Sequence, residues 1–455
     1  MSHNYIHNSY TSSNSPWRVE KQALHRVFSQ QLRKLVVGRA EGKRRHILQR
    51  DFFRHPGVRQ AAILKATKGK IGREQAYSLA RQVNPYAEQK HAVTTYPITK
   101  TSGGKRNICI MPPVLSAMHK IIKCALDAEF VRHPLLFGVK HYGRDQAAVQ
   151  IQQLQREGYG NLWQTDIEDC LDSFNLDALY ELPLPNQIIA NALDTRNHNF
   201  SFQAHISKQE AKKGASPETP DWASPENYMV RDHSPIGSLT DDIVCNTRGP
   251  AGLMQGSPAS SAILAWHLNA VLNDLPCIDD VRVIVCFDNL LVASRSEEGS
   301  RTIRDTLADS LGRCPFGPLT LHPPTSADPD HGIEFLGYNH PSDGSTIGVG
   351  QKARERLMRH LNTLEQKFDS GKFSDPELET FAMWCTLLDF ASGYSSTTDI
   401  VAEMADFVTT SSWIPATSNN PVLMHMHCRL FSQWNPFEET FFKTVRNMRR
   451  RHKRD

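Results

Sequence analysis

The segment Val281-Arg-Val-Ile-Val-Cys-Phe-Asp-Asn-Leu-Leu-Val-Ala293 decides how this chain reads. Two runs rich in β-branched and aliphatic residues flank a short polar break, the pattern of a β-hairpin. Asp288-Asn289 is read as its two-residue turn, which puts a carboxylate at the hairpin tip. Asp and Asn are favoured in any tight turn, so the hairpin alone is only a structural statement. A second carboxylate is delivered in a comparable way by Leu162-Trp-Gln-Thr-Asp166-Ile-Glu-Asp-Cys-Leu-Asp-Ser-Phe174. There a β-like run ends on Asp166 and a helical pattern with further acids follows. Asp at a strand end is also an ordinary helix N-cap.

A third segment lies between them, Arg248-Gly-Pro-Ala-Gly-Leu-Met-Gln-Gly-Ser-Pro-Ala-Ser-Ser261. Its glycines and prolines hold an exposed loop, and Gln255-Gly256 lets backbone approach a flat ligand closely. Ser257-Pro258 reads as the N-cap and first turn of a helix running through Leu272. Upstream, Val93–Ile98 and Asn107–Met111 are β-like runs joined through Gly103-Gly104, which predicts another hairpin. Residues 17–90 have helical spacing. Leu24, Val27, Phe28, Leu32, Leu35 and Val36 alternate with Lys21, Arg26, Arg33, Lys34 and Arg39, giving an amphipathic helix with a basic outer face. Helical spacing returns at 114–132, 351–368 and 376–392, whereas 196–240 lacks periodicity and reads as a surface insertion.

Composition narrows the classes. Hydrophobic residues make up 39% of 455, enough for a substantial core, so wholesale disorder is excluded. No run of 18 apolar residues occurs, so no membrane span is expected. Nine cysteines without a Cys-x-x-Cys pair predict a reducing, cytoplasmic setting rather than a disulfide or zinc framework. The net charge of +4 conceals an asymmetry. Residues 443–454 hold seven basic side chains and no acid (Lys443, Arg446, Arg449, Arg450, Arg451, Lys453 and Arg454), which predicts a nucleic-acid-binding tail.

Strand-end Asp166, the Gln-Gly-Ser-Pro loop and the Asp288 hairpin occur in the order of a polymerase palm. Together they resemble the reverse transcriptase family, particularly its prokaryotic group II intron, retron and defence-associated branch. Pro97-Ile-Thr-Lys100 with Gly103-Gly-Lys105-Arg106, Ile108 and Pro112 is similar to the family's fingers hairpin. Phe137-Gly-Val-Lys140 with Gly143-Arg144 is similar to its Gly-Phe-x-x-Gly-Arg element, and Phe335-Leu336-Gly337-Tyr338 to its primer grip. The resemblance covers about residues 90–340. It implies an α+β right-hand polymerase with an antiparallel palm sheet and helical N- and C-terminal regions. The expected order is a leader (1–16), a basic helical region (17–92), fingers (93–165), palm (166–345, interrupted near 196–240), thumb (346–442) and basic tail (443–455).

The implied chemistry is nucleotide addition with two Mg²⁺ ions about 4 Å apart, held by carboxylates on adjacent strands. The resemblance assigns Asp166, Asp288 and the Ile167 carbonyl to metal, and Asp166, Asp288 and Asn289 to the catalytic set. Lys100, Lys105 and Arg106 would clamp the triphosphate, and Leu171, Gln255 and Gly256 would contact the nucleotide. The implied partners are dNTPs, a DNA product and an RNA template, expected to be a dedicated noncoding RNA in anti-phage defence, with a companion protein or a second copy of the chain as further candidates. Three departures stand out. Cys286-Phe287-Asp288-Asn289 replaces Tyr-x-Asp-Asp, which weakens the negative field and predicts tolerance of Mn²⁺. Leu171 replaces the aromatic that excludes ribonucleotides. Leu319–Thr325 lacks the usual Lys, with His322 in its place. Two other readings follow from these departures: a silent palm serving as an RNA-binding scaffold, and a template-independent or rNTP-using polymerase.

Overall fold

The computed structural model describes residues 16–41, 43–99, 105–202, 250–357 and 359. These form a mixed α+β structure in two compact units, each assembled from segments distant in sequence. The first takes the described residues of 1–134, 167–275 and 307–320, and the second those of 135–166, 276–306 and 321–455. Lys100, most of the expected thumb, and the basic tail with Arg446, Arg449, Arg450, Arg451, Lys453 and Arg454 lie outside the described residues.

The first unit begins with four helices: α1 (Pro16–Ala40), α2 (Arg45–Arg54), α3 (Pro56–Ala66) and α4 (Arg73–Gln82). Phe28 and Leu35 of α1 are buried and Arg26 and Arg33 exposed, as the spacing predicts. Val36, expected on the apolar side, is exposed, because one step beyond Leu35 turns a side chain about 100° around the helix. The α2–α3 junction is sharp: Pro56 opens α3 and the His55 imidazole accepts the Gly57 N–H at 3.1 Å. Phe52 packs edge-to-face on both Phe28 and Phe53, and α5 (Pro113–Glu129) contributes a nearly continuous buried surface.

Between α4 and α5 the predicted hairpin forms as β1 (Ala92–Thr99) and β2 (Lys105–Ile110), antiparallel with Thr95 opposite Cys109. A third strand, β5 (Asn199–Phe202), pairs parallel with β1. The sequence reading places 199–202 in the insertion; instead, Phe200 joins Val93, Cys109, Met111, Leu115 and Met254 in one core cluster. Helix α7 (Ser260–Asp274) belongs to the same unit, and its His267 ring lies between Phe174 and Phe316 at centroid distances of 5.3 and 5.0 Å.

The second unit is built on a five-stranded sheet in the order β3-β6-β7-β4-β8. Its strands are β3 (Leu136–Phe137), β4 (Asn161–Asp166), β6 (Val281–Cys286), β7 (Asn289–Ser294) and β8 (Thr325–Ser326). The expected antiparallel sheet holds for β6, β7, β4 and β8, but edge strand β3 pairs parallel with β6. Strands β6 and β7 are buried nearly throughout, which explains their unbroken aliphatic runs: both faces are covered. One cover is α6 (Arg144–Arg156), whose Ala147, Ile151 and Leu154 share a core cluster with Ile284, Leu291 and Phe335. Helix α8 (Glu297–Arg313) begins after β7, and the Trp163 indole N–H donates to Ser300 Oγ at 2.7 Å.

A second small sheet has the order β11-β10-β9, formed by β9 (Ile333–Phe335), β10 (Tyr338–His340) and β11 (Gly348–Val349). Leu336 and Gly337 form its two-residue turn with φ of 54° and 85°, the pair of positive angles that a type I′ hairpin needs. Gly332 is equally constrained, since a Cβ there would lie 2.0 Å from the His340 carbonyl oxygen.

His340 is fully buried, and neither ring nitrogen has a hydrogen-bond partner among the described residues. Burial lowers its pKa from the ordinary 6.5 to about 4, so the folded state keeps it neutral while the unfolded chain binds a proton below about pH 6.5. Stability is therefore present above pH 6.5 and lost as pH falls toward 4. Denaturant unfolding at pH 7 and pH 5 should show this loss, on the order of 1–2 kcal/mol from this residue. The variant His340→Leu should lose less; an equal loss would remove His340 from the account.

Candidate active site

The β4–β7 pairing sets Asp166 opposite Asn289, and the β6–β7 pairing sets Cys286 opposite the same Asn289. Strand-end Asp166 and the hairpin tip therefore share one end of the sheet. The turn differs by one residue from the sequence reading. Phe287 and Asp288 form it, and Asn289 is already the first residue of β7. Phe287 carries the backbone reversal at φ 58°, unusual for a bulky residue. Its ring is accommodated by Gly138, where a Cβ would approach the ring atoms to 3.0 Å.

Asp166 has a half-exposed carboxylate, at 53%, and Asp288 is partly buried. Asn289 Nδ2 donates to Asp288 Oδ1 at 2.8 Å. The amide thus fixes one Asp288 oxygen where a second carboxylate would repel it. Beneath the tip, burial and then Asp288 push the Cys286 thiol up to about 12, so it stays protonated and acts as an apolar filler. His322 lies beside Asp166: its backbone N–H donates to the Asp166 carbonyl at 2.9 Å, and its Nε2 stands 3.9 Å from Asp166 Oδ2. Thr165 Oγ1 donates to the His322 carbonyl at 2.7 Å, locking that loop against β4.

Among the described residues no cluster of three or more His, Cys, Asp and Glu side chains forms a metal site. The oxygen donors at this end of the sheet are the carboxylates of Asp166 and Asp288 and the side-chain carbonyl of Asn289. These are hard oxygen ligands, and Mg²⁺ is commonly held by one or two carboxylates with substrate phosphates completing its shell. By donor chemistry alone, these residue types are the kind that hold such an ion. Ile167, expected to offer its carbonyl, has a fully packed side chain, 2% exposed.

Phe335 to Tyr338, expected to form a primer grip, lie in the same unit. Phe335 and Tyr338 are opposite one another across β9 and β10, both buried, and Leu336 and Gly337 form the turn. The Tyr338 hydroxyl donates to Asp145 Oδ1, and the Arg144 guanidinium lies 5.5 Å from the Tyr338 ring centroid. That contact links the Gly143-Arg144 element to the Phe-Leu-Gly-Tyr hairpin, which sequence spacing could not show.

In the first unit, the Gln-Gly loop is clipped on two sides. The Cys109 N–H of β2 donates to the Gln255 carbonyl at 2.8 Å, and the Leu253 N–H donates to the Leu171 carbonyl at 2.7 Å. Gly256 has φ 98°, and a Cβ there would sit 2.9 Å from the Cys109 carbonyl. The Gln255 amide donates to Asp172 Oδ2 at 2.8 Å. The structure thus brings Leu171, Gln255, Gly256 and strand β2, which carries exposed Arg106, into one locality. Lys105 begins the same strand.

Two residues of this locality had no sequence signal of their own. Asp172 is the anchor of Gln255, and His119 is the anchor of Ser257, with Nδ1 2.6 Å from Ser257 Oγ. His119 Nε2 lies 2.6 Å from the Ala192 carbonyl, which can only accept, so Nε2 carries the proton and Nδ1 accepts from Ser257. Burial lowers its pKa to about 3, in keeping with a neutral ring. Ser257 Oγ also accepts the Ala259 N–H at 3.0 Å, so it caps a turn, and α7 begins two residues later than the sequence predicts.

No protein-family model and no curated protein sequence matches the chain. Among solved structures, the chain is similar to two telomerases. That of Candida albicans, in complex with a TWJ fragment of telomeric RNA, has a TM-score of 0.37 at 13% identity, over 79% of this chain and 67% of that one. Apo telomerase of Candida tropicalis, truncated from its C-terminal domain, has a TM-score of 0.33 at 11% identity, over 58% of this chain and 56% of that one.

Gly252 offers a direct test of the clipped loop, since a Cβ there would lie 2.1 Å from the Leu171 carbonyl oxygen. Gly252→Ala should destabilise the protein by about 1–3 kcal/mol in denaturant unfolding. A variant as stable as the parent would show that the loop is not held as described.

Proposed function

We propose that the chain is an RNA-directed DNA polymerase of reverse transcriptase type. The single observation that carries the reading is the register of β4, β6 and β7, which sets Asp166 and the Asp288 tip at one end of the sheet. On this reading residues 93–165, 166–345 and 346–442 serve as fingers, palm and thumb. The reaction joins a strand's 3′-oxygen to the α-phosphorus of a dNTP. The bond to pyrophosphate breaks, and the 3′-hydroxyl proton leaves. Bound Mg²⁺ would supply charge neutralisation at the phosphates and lower the pKa of that hydroxyl.

The chain's own residues do the remaining work. Asp166 and Asp288 would hold the metal, joined by the Ile167 carbonyl, while Asn289 fixes the Asp288 carboxylate. Lys100, Lys105 and Arg106 meet the triphosphate, and Leu171, Gln255 and Gly256 define the nucleotide. His322, at the edge of Asp166, is the group available to pass a proton to pyrophosphate where the family carries a Lys. The finer assignment is a cytoplasmic, phage-defence enzyme copying a dedicated noncoding RNA, and sequencing of the co-purified nucleic acid and its product tests that.

Labelled-dNTP incorporation with Mg²⁺ or Mn²⁺ tests the chemistry. Asp166→Ala and Asp288→Ala should each lower it by at least about 10³-fold. Incorporation surviving Asp288→Ala would end the metal assignment. The neutral Asn289 favours a second reading, a silent RNA-binding scaffold, and no incorporation by the parent chain under either metal would support it. Leu171→Phe should reduce use of rNTPs relative to dNTPs; an unchanged ratio would remove Leu171 from sugar selection.

A further inference from the structure

Residues 16–70 contain fifteen Lys and Arg but only three acids, Glu20, Glu41 and Asp51. All three acids are already engaged. Glu20 pairs with Arg73 at 2.9 Å, Glu41 with Lys43 at 2.7 Å, and Asp51 with Arg50 at 3.6 Å. Buried Glu129 of α5 takes Arg39 and Arg45, at 3.7 and 3.2 Å. No such pair is formed by Arg18, Arg26, Arg33, Lys34 or Arg44 among the described residues.

Three of these lie along one line. At 100° per residue, Arg18, Gln22, Arg26, Ser29 and Arg33 share the outer face of α1, and all five are exposed. The remaining cations are crowded rather than dispersed. After burial, Lys34 lowers the pKa of His55 and Lys65 lowers that of His25; Lys120 is lowered by burial, then by Lys65, with Lys68 adding to it. Cations from separate elements, Lys34 of α1 beside His55, and Lys65 of α3 beside His25 of α1 and Lys120 of α5, are thus close enough to act on one another.

We infer that the outer face of α1, flanked by the α1–α2 turn, is a docking surface for the phosphate backbone of double-helical RNA. Arg18 and Arg33 are 15 residues apart on α1, about 22 Å at roughly 1.5 Å per residue, so the line is long enough to meet several backbone phosphates in succession. The chemistry fits duplex better than single strand. Exposed large apolar residues on α1 and α2 are Val19, Val36, Val37 and Ile47, none of them aromatic, so the face lacks rings on which unpaired bases stack. A membrane surface fits less well, because the apolar stripe of α1 is spent on packing, with Phe28 and Leu35 buried. The choice of RNA over DNA rests on the polymerase reading above; the docking surface itself does not.

Fluorescence anisotropy of the full chain with a 20-base-pair RNA duplex, across a salt series, tests this. The triple variant Arg18→Gln, Arg26→Gln, Arg33→Gln changes only exposed side chains, and circular dichroism melting checks that it folds. Binding should weaken at least about tenfold, and the slope of log K against log salt should fall by about 2–3, near one per lost phosphate contact. An unchanged slope, equal weakening for single-stranded RNA, a preference for duplex DNA, or loss of binding to anionic vesicles in place of RNA would each overturn the inference. Incorporation assays keep the two readings apart. Should Asp288→Ala leave incorporation intact while the triple variant loses duplex binding, the catalytic reading fails and the docking surface stands. The reverse pattern removes the docking surface alone.

Discussion

The antiparallel pairing of β4 with β7 is the constraint on which the candidate site depends. Because side chains alternate with period two, a slip of one residue would turn every side chain of β4 to the opposite face and move Asp166 from its place opposite Asn289. The aliphatic runs of β6 and β7 prevent such a slip, since a shift would force polar ends into a core lined by Ile284, Leu291 and Ala293. Burial energy thus fixes the register, and the register places the carboxylates. Charges that repel when brought together are held by hydrophobic packing that has no chemical role itself.

Around that constraint, short polar contacts fix what packing leaves free. Asn289 orients Asp288, Thr165 pins the His322 loop, and Tyr338 with Asp145 ties the Phe335–Tyr338 hairpin to α6. The first unit uses the same device around Gln255, through Cys109, Asp172 and Leu253, and around Ser257, through His119. Each contact satisfies a partly or fully buried polar group, so each contributes specificity of placement more than net stability.

Elements with a strong period were legible. The hairpins at 92–110 and 281–294 and the helices α1 and α5 appear where alternation or 3.6-residue spacing demands them. Boundaries were less so. The turn at Phe287-Asp288 was displaced by one residue because Asp-Asn has the better turn propensity, yet cross-strand pairing rather than propensity sets where a ladder begins. The strand 199–202 escaped notice because its partner is β1, about a hundred residues away, and four residues are too few to show a period. Asp172 and His119 carried no local pattern at all; their meaning lies in partners 83 and 138 residues distant.

The sequence by itself determined which residue types stand where: Asp166 at the end of a β-run, Asp288 near a hairpin tip, the Gln255-Gly256 loop, and the basic stripe of α1. Composition and spacing are local properties, and local propensities suffice to express them. Only the tertiary structure decided which of these meet. It set Asp166 against the Asn289 register position, gave Asp288 an amide partner in place of a second carboxylate, and left Arg18, Arg26 and Arg33 of α1 without an acid partner among the described residues. Those outcomes depend on contacts between segments far apart in the chain, whose energies exist only once the strands and helices have packed.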